Sequence, residues 1–143
     1  MKFLKYTLIV LFSVGIMSCG SSGGDDPDTE PPVITITAPT VNQLFAQEET
    51  VNVKFSASDN VGLKSYVVSV NLVEVAVASL KTAPVDFVFD GSGQLSEKYQ
   101  DVTFDMVLPL NATKGKYKIE IKVTDNKTPT ANEKTESVNF IIE

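Results

Sequence analysis

The chain has 143 residues and a formal net charge of −6, with eighteen Asp and Glu against twelve Lys, and it contains no Arg, His or Trp. Sparse, unclustered lysines exclude a phosphate backbone as partner, and the missing imidazole excludes a histidine base and histidine-ligated zinc. A single cysteine, Cys19, excludes an intrachain disulfide, so an apolar core has to hold the fold.

Lys2 and Lys5 precede the apolar run Tyr6 to Ile16, which is too short to span a bilayer comfortably, and small Ser18 stands just before Cys19. That order predicts a signal peptide over residues 1–18. The stretch Ile16-Met17-Ser18-Cys19-Gly20 resembles the lipobox of bacterial lipoproteins. The resemblance implies a mature chain beginning at Cys19, thioether-linked to diacylglycerol and acylated on its amine, with the membrane as its first partner. Several acyl chains at about 0.8 kcal/mol per buried CH2 make a durable anchor. The alternatives are an ordinary secreted protein with Cys19 incidental, and an uncleaved anchor. Loss of Lys2 and Lys5, with no acid, takes the formal charge from −6 to −8.

Residues 19–31 read as a lipidated, acidic tether. The stretch GSSGGDDPDTEPP, Gly20 to Pro32, has no large apolar group and cannot offset its own ordering entropy. Its run Asp25-Asp26-Pro27-Asp28 resembles the acidic signal that follows the lipidated cysteine of many Bacteroidetes lipoproteins and sends them to the outer face of the outer membrane. Solvation of a linker is the other reading, and a periplasm-facing lipoprotein the other location.

From Pro32 to Glu143 the pattern alternates with period two, the mark of strands with one buried face. Val33 to Ala38 sets Ile34, Ile36 and Ala38 on one face, and Pro39 bends it as at a sheet edge. Thr50 to Ser58 buries Val51, Val53, Phe55 and Ala57, and Asp59-Asn60-Val61-Gly62 turns the chain. A third strand runs from Leu63 to about Leu72, with Tyr66, Val68 and Val70 inward. Val73 to Ala78 reads as a short strand or an irregular segment. Val85, Phe87 and Phe89 form the next inward set, ending at Asp90-Gly91-Ser92-Gly93. Val102 to Leu108 alternates up to Pro109. The sixth strand sets Tyr117, Ile119, Ile121 and Val123 against Lys116, Lys118, Glu120 and Lys122, and the last buries Val138, Phe140 and Ile142.

About seven short strands without sustained helical periodicity predict an all-β sandwich over residues 32–143, since one open sheet would leave an apolar face wet. The segments PPVITITAPT, VKFSASDNVGLKSYVVSV and GKYKIEIKVTDN give the layout a resemblance to immunoglobulin-like domains of bacterial surface proteins. With the lipobox and acidic tether, the chain resembles small Bacteroidetes surface lipoproteins of uncharacterised function with a single such domain, sometimes labelled adhesion proteins. That family tends to carry histidines in its middle strands and loops; this chain has none, so no histidine metal role carries over. Gly115-Lys116-Tyr117 resembles the tyrosine corner of such sandwiches, which gives Tyr117 and Gly115 a structural role.

In this topology the second and sixth strands run in the same direction. Asp59-Asn60 and Asp125-Asn126 therefore emerge at one end, and the first strand begins there too, bringing the tether acids Asp28 and Glu30 close. Carboxylates and amide oxygens from three segments form the hard oxygen set that Ca2+ requires. Cadherin-like repeats use a similar end with a denser acidic pattern. The other reading is that these residues cap their own turns, with no ion involved. No other cofactor is expected.

No acid sits in a catalytic motif, and the chain is expected not to be an enzyme. The leading expectation is a lipid-anchored recognition or adhesion module for an unidentified protein or glycan. The second is a structural accessory docking on an envelope complex through Val73, Val75 and Val77 or through Val61 and Leu63. The third is a weak carbohydrate-binding module using Tyr66 or Tyr99 as an aromatic platform. Lys116, Lys118 and Lys122 read as a solvated face that also discourages edge pairing if their strand is exposed.

Overall fold

The computed structural model describes residues 28–76 and 85–143. Residues 1–27, with Cys19 and its apolar leader, and residues 77–84, with Val77 and Ala78, lie outside the described residues.

Eight strands are described: β1 (Val33–Ala38), β2 (Gln43–Phe45), β3 (Thr50–Ser58), β4 (Leu63–Val75), β5 (Phe89–Gln94), β6 (Tyr99–Val107), β7 (Gly115–Asp125) and β8 (Glu133–Ile142). They form two sheets, ordered β1-β3-β6 and β2-β8-β7-β4-β5. The molecule is an all-β, immunoglobulin-like sandwich. All pairings are antiparallel except β2 with β8.

The core follows directly from the alternation. In β3, Val51, Val53, Phe55 and Ala57 face inward; in β7, every second residue from Gly115 to Asp125 is buried. Tyr117 stacks on Phe140 with ring centroids 5.5 Å apart, and Phe55 meets Tyr66 edge-on at 5.3 Å. Full burial of a side chain such as Phe55 or Phe140 contributes roughly 1.5–3 kcal/mol by leaving water.

Several expectations need correction. β2 adds a strand because Phe45 buries its ring edge-on against Phe140, at 5.8 Å, while the backbone covers the edge of β8. Asp90-Gly91-Ser92-Gly93 does not end a strand but lies within β5, which pairs with β4 from Val70↔Phe89 to Ser65↔Gln94. Aromatic rings fill the space above its glycines: a Cβ at Gly93 would collide with the Tyr66 ring, and one at Gly91 with the Phe89 ring. Val85 is exposed rather than inward, held in an isolated bridge to Ala112. Val73 to Val75 simply continue β4, and Ala76 follows it. β7 lies between β8 and β4, so its lysines protect no edge; Lys118 pairs with Glu120 at 3.2 Å and Lys122 with Glu133 at 3.3 Å.

Candidate metal centre at the arm end of the sandwich

The strand registers explain which residues meet. Val33 pairs with Ser58, setting the start of β1 beside the end of β3, and Leu63 pairs with Asp125, setting the start of β4 beside the end of β7. The arm that leads into β1, the β3–β4 turn and the β7–β8 hairpin therefore share one end. One carboxylate oxygen each from Asp28, Asp59 and Asp125 lies within 4.8 Å of the others. Asp125 is 0% exposed, Asp59 is 9% exposed, and Asp28 is half-buried.

Turn capping uses one oxygen of each core aspartate. Asp59 Oδ1 accepts the N–H groups of Val61 (2.9 Å) and Gly62 (2.8 Å), while Asp59 Oδ2 is buried with no hydrogen-bond partner among the described residues. Asp125 Oδ1 accepts the N–H groups of Lys127 (3.1 Å) and Asn132 (2.8 Å). Asp28 Oδ1 accepts from Glu30 N–H and from Asn60 Nδ2, both at 3.1 Å.

Asn132, which the sequence pattern does not single out, sits among these groups. Its Nδ2 lies 2.8 Å from Asp125 Oδ2, 3.1 Å from the Glu30 carbonyl and 3.3 Å from Asp28 Oδ2, so two amide protons face three oxygens. Glu30 thus contributes its carbonyl and not its carboxylate. Asn126 is exposed, and among the described residues it is engaged through its backbone, donating to the Gly62 carbonyl at 2.8 Å.

Three carboxylates this close repel one another, the more so where Asp59 and Asp125 are shielded from water. The nearby lysines bind amide oxygens rather than the acids: Lys98 Nζ donates to the Asn60 carbonyl at 2.6 Å, and Lys127 Nζ to Asn132 Oδ1 at 3.3 Å. The Asp28 carboxyl is nevertheless held below its ordinary range, chiefly by the Glu30 N–H, against a desolvation that pushes it up, with further help from Asn60 and Lys127.

Other expected site residues lie elsewhere. Tyr117 is fully buried at the far end of β7; its Oη donates to the Thr113 carbonyl at 2.7 Å and accepts from Phe87 N–H at 3.4 Å. Gly115 begins β7 at φ +155°, where a Cβ would collide with the Glu74 carbonyl. Tyr66 is half-buried over Gly93 and offers no open platform, whereas Tyr99 is exposed and donates to Asp101 Oδ1 at 2.9 Å. Leu63 is fully buried and unavailable for docking.

The fold and this end define an immunoglobulin-like sandwich with an oxygen-rich cluster where its arm enters. The chain belongs to the family described as "Domain of unknown function (DUF4625)", whose match covers residues 17–142. No curated protein sequence matches it. Among solved structures it is similar to a family 123 glycoside hydrolase from Clostridium perfringens, at 13% identity and a TM-score of 0.51 over 80% of this chain. The chain spans only 27% of that enzyme, and the likeness is one of fold. It is also similar to AggA, the major subunit of aggregative adherence fimbriae type I from Escherichia coli, at 13% identity and a TM-score of 0.45, covering 82% of this chain and 99% of AggA.

Proposed function

We propose that this protein is a non-catalytic, lipid-anchored protein of the bacterial outer membrane, whose sandwich is a recognition or adhesion module held out by the acidic arm. The anchor reading rests on Ile16 to Gly20; the family match begins at residue 17 and so takes in Cys19 and the arm.

The observation that carries recognition is the polarity of the domain. The arm enters at the aspartate end, and the opposite end exposes Val75, Val85, Val88, Val107 and Leu110. Their loops are knitted together: Val85 N–H donates to the Asn111 carbonyl at 3.0 Å, and Thr113 N–H donates to the Val85 carbonyl at 2.9 Å. Apolar side chains left in water on a secured backbone suit contact with a partner.

Protease shaving of intact cells tests the display, with a Cys19→Ala strain as control. Peptides from residues 31–143 released by intact cells, and lost in the control, support it; protection until the outer membrane is breached overturns it. Binding to host glycans or matrix proteins that Leu110→Glu weakens supports recognition. The same exposed end favours a second reading, a structural accessory, which gains if cross-linking through this end recovers an envelope complex instead.

A further inference from the structure

We infer that Asp28, Asp59 and Asp125 hold one hard divalent cation, with Ca2+ the best fit, and that this ion clamps the incoming arm to the sandwich. The inference stands apart from the anchoring and recognition reading, and its failure leaves that reading untouched.

Three observations carry it. The first is the unpartnered oxygen. Both N–H groups at the Asp59 turn go to Oδ1, so capping accounts for half of a carboxylate that lies beside two further acids, while its Oδ2 is buried without a donor among the described residues. A buried acceptor left unmade is costly and uncommon, and a cation would satisfy it.

The second is spacing. Oxygens bound to one Ca2+ at about 2.4 Å lie at most about 4.8 Å apart, and Ca2+ accepts irregular sets of protein oxygens, whereas Mg2+ demands near-ideal octahedral geometry and gives up its waters reluctantly. The three carboxylate oxygens lie within 4.8 Å of one another, the Glu30 carbonyl adds a further oxygen, and the Asn132 Nδ2 that now bridges Asp28, Glu30 and Asp125 would give way to the ion.

The third is charge. Among the described residues no ion pair reaches Asp28, Asp59 or Asp125: the ammonium groups of Lys98 and Lys127 donate to amide oxygens, Lys127 acting on Asp28 only from a distance, and Asn132 offers two protons to three acceptors. Since Asp28 belongs to the arm and the other two to β-strand exits, an ion shared among them would fix the direction in which the arm leaves the domain.

The test uses the full chain, extracted in detergent and stripped with chelator, then titrated with CaCl2 by calorimetry and followed by thermal melting, with MgCl2 in parallel. One saturable site is expected, with a melting temperature raised by at least about 5 °C at a hundred times the half-saturating concentration, and a weaker response to Mg2+. Asp59→Asn is expected to abolish the Ca2+ response and to raise the melting temperature of the chelated protein, because it removes one negative charge and supplies a donor. Asp28→Asn, outside the sandwich proper, should also abolish the response without relying on the core tolerating a change. Absence of heat and of any melting shift in millimolar Ca2+ overturns the inference, as does a Ca2+ effect equal in the parent and both variants. A chelated protein that gains stability on mild acidification yet ignores Ca2+ overturns it too, since a proton shared between carboxyls would then be the device relieving the repulsion.

Discussion

Tyr117 donates its phenolic hydrogen to the carbonyl of Thr113 at 2.7 Å, closing the chain over the start of β7 with a bond that has no access to water. The same oxygen accepts Phe87 N–H at 3.4 Å, so one hydroxyl serves two buried backbone groups. Tyr117→Phe keeps the ring stacked on Phe140 and strips both groups of their partner. It should lower the unfolding free energy by about 1–3 kcal/mol, seen in urea as an earlier midpoint with an unchanged slope. A changed slope would instead point to an altered unfolded state.

The same burial sets an alkaline limit. Desolvation pushes the Tyr117 hydroxyl above its ordinary value of 10.0, with the Asp86 charge adding to the rise and the Phe87 and Thr113 hydrogen bonds opposing it. A group whose folded value lies above its unfolded one contributes stability that is full below the unfolded value and lost as pH rises through the folded value. Stability should therefore begin to fall above pH 10.0 and keep falling until the folded hydroxyl ionises. Exposed Tyr99 is raised too, mainly by its bond to Asp101, so the comparison that isolates Tyr117 is the parent against Tyr117→Phe. The variant should show a shallower alkaline loss, measured as urea midpoints between pH 9 and pH 11.

Much of this architecture is legible in the sequence, and the reasons are local. β3 and β7 alternate without interruption, so inward and outward faces can be assigned from residue type alone. β2 is not legible: of Gln43, Leu44 and Phe45 only Phe45 is buried, and its pairing with β8 is a distant parallel contact. β5 is obscured because Gly91 and Gly93 signal a turn, whereas here they make room for the rings of Phe89 and Tyr66. At the arm end, Asp28, Asp59 and Asp125 follow from strand direction. Asn132 does not, since its link to Asp125 spans seven residues of an irregular hairpin with no periodicity to betray it.

Gly115 shows how little freedom the start of β7 has. Its φ of +155° is a conformation that residues with a side chain rarely adopt, and a Cβ would run into the Glu74 carbonyl of the neighbouring strand. Relief requires moving β4 away from β7 at their Val75↔Gly115 pair. Gly115→Ala should cost at least about 1–3 kcal/mol, and hydrogen exchange should show the loss of protection concentrated at the far ends of β4 and β7. Uniform loss across both sheets would argue against so local a cause.

Asp28 makes the acid side informative. Its carboxyl lies below the ordinary value of 3.8, first because Glu30 N–H donates to it. A lowered folded value means the contribution is full above the unfolded value and disappears as pH falls through the folded one. In chelated protein, Asp28→Asn should therefore flatten the part of the acid limb below pH 3.8 and leave the neutral plateau nearly parallel to that of the parent. Melting temperatures from pH 2 to pH 6 would show this, and identical acid limbs would remove Asp28 from the account.

Val61 and Leu63 stand two residues apart and differ completely in environment, with Val61 46% exposed and Leu63 fully buried at the start of β4. Leu63 N–H donates to the Glu97 carbonyl at 3.0 Å, which holds the backbone in place and limits how far the core can close over a lost side chain. Leu63→Ala should then leave a cavity and cost about 2–5 kcal/mol. Val61 takes part in the Asp59 turn only through its main-chain N–H, which a substitution keeps, so Val61→Ala should stay within about 0.5 kcal/mol of the parent. Paired urea titrations decide the matter. Comparable small costs for both would mean that Leu63 is not part of the core, returning it to the surface and to any partner that docks there.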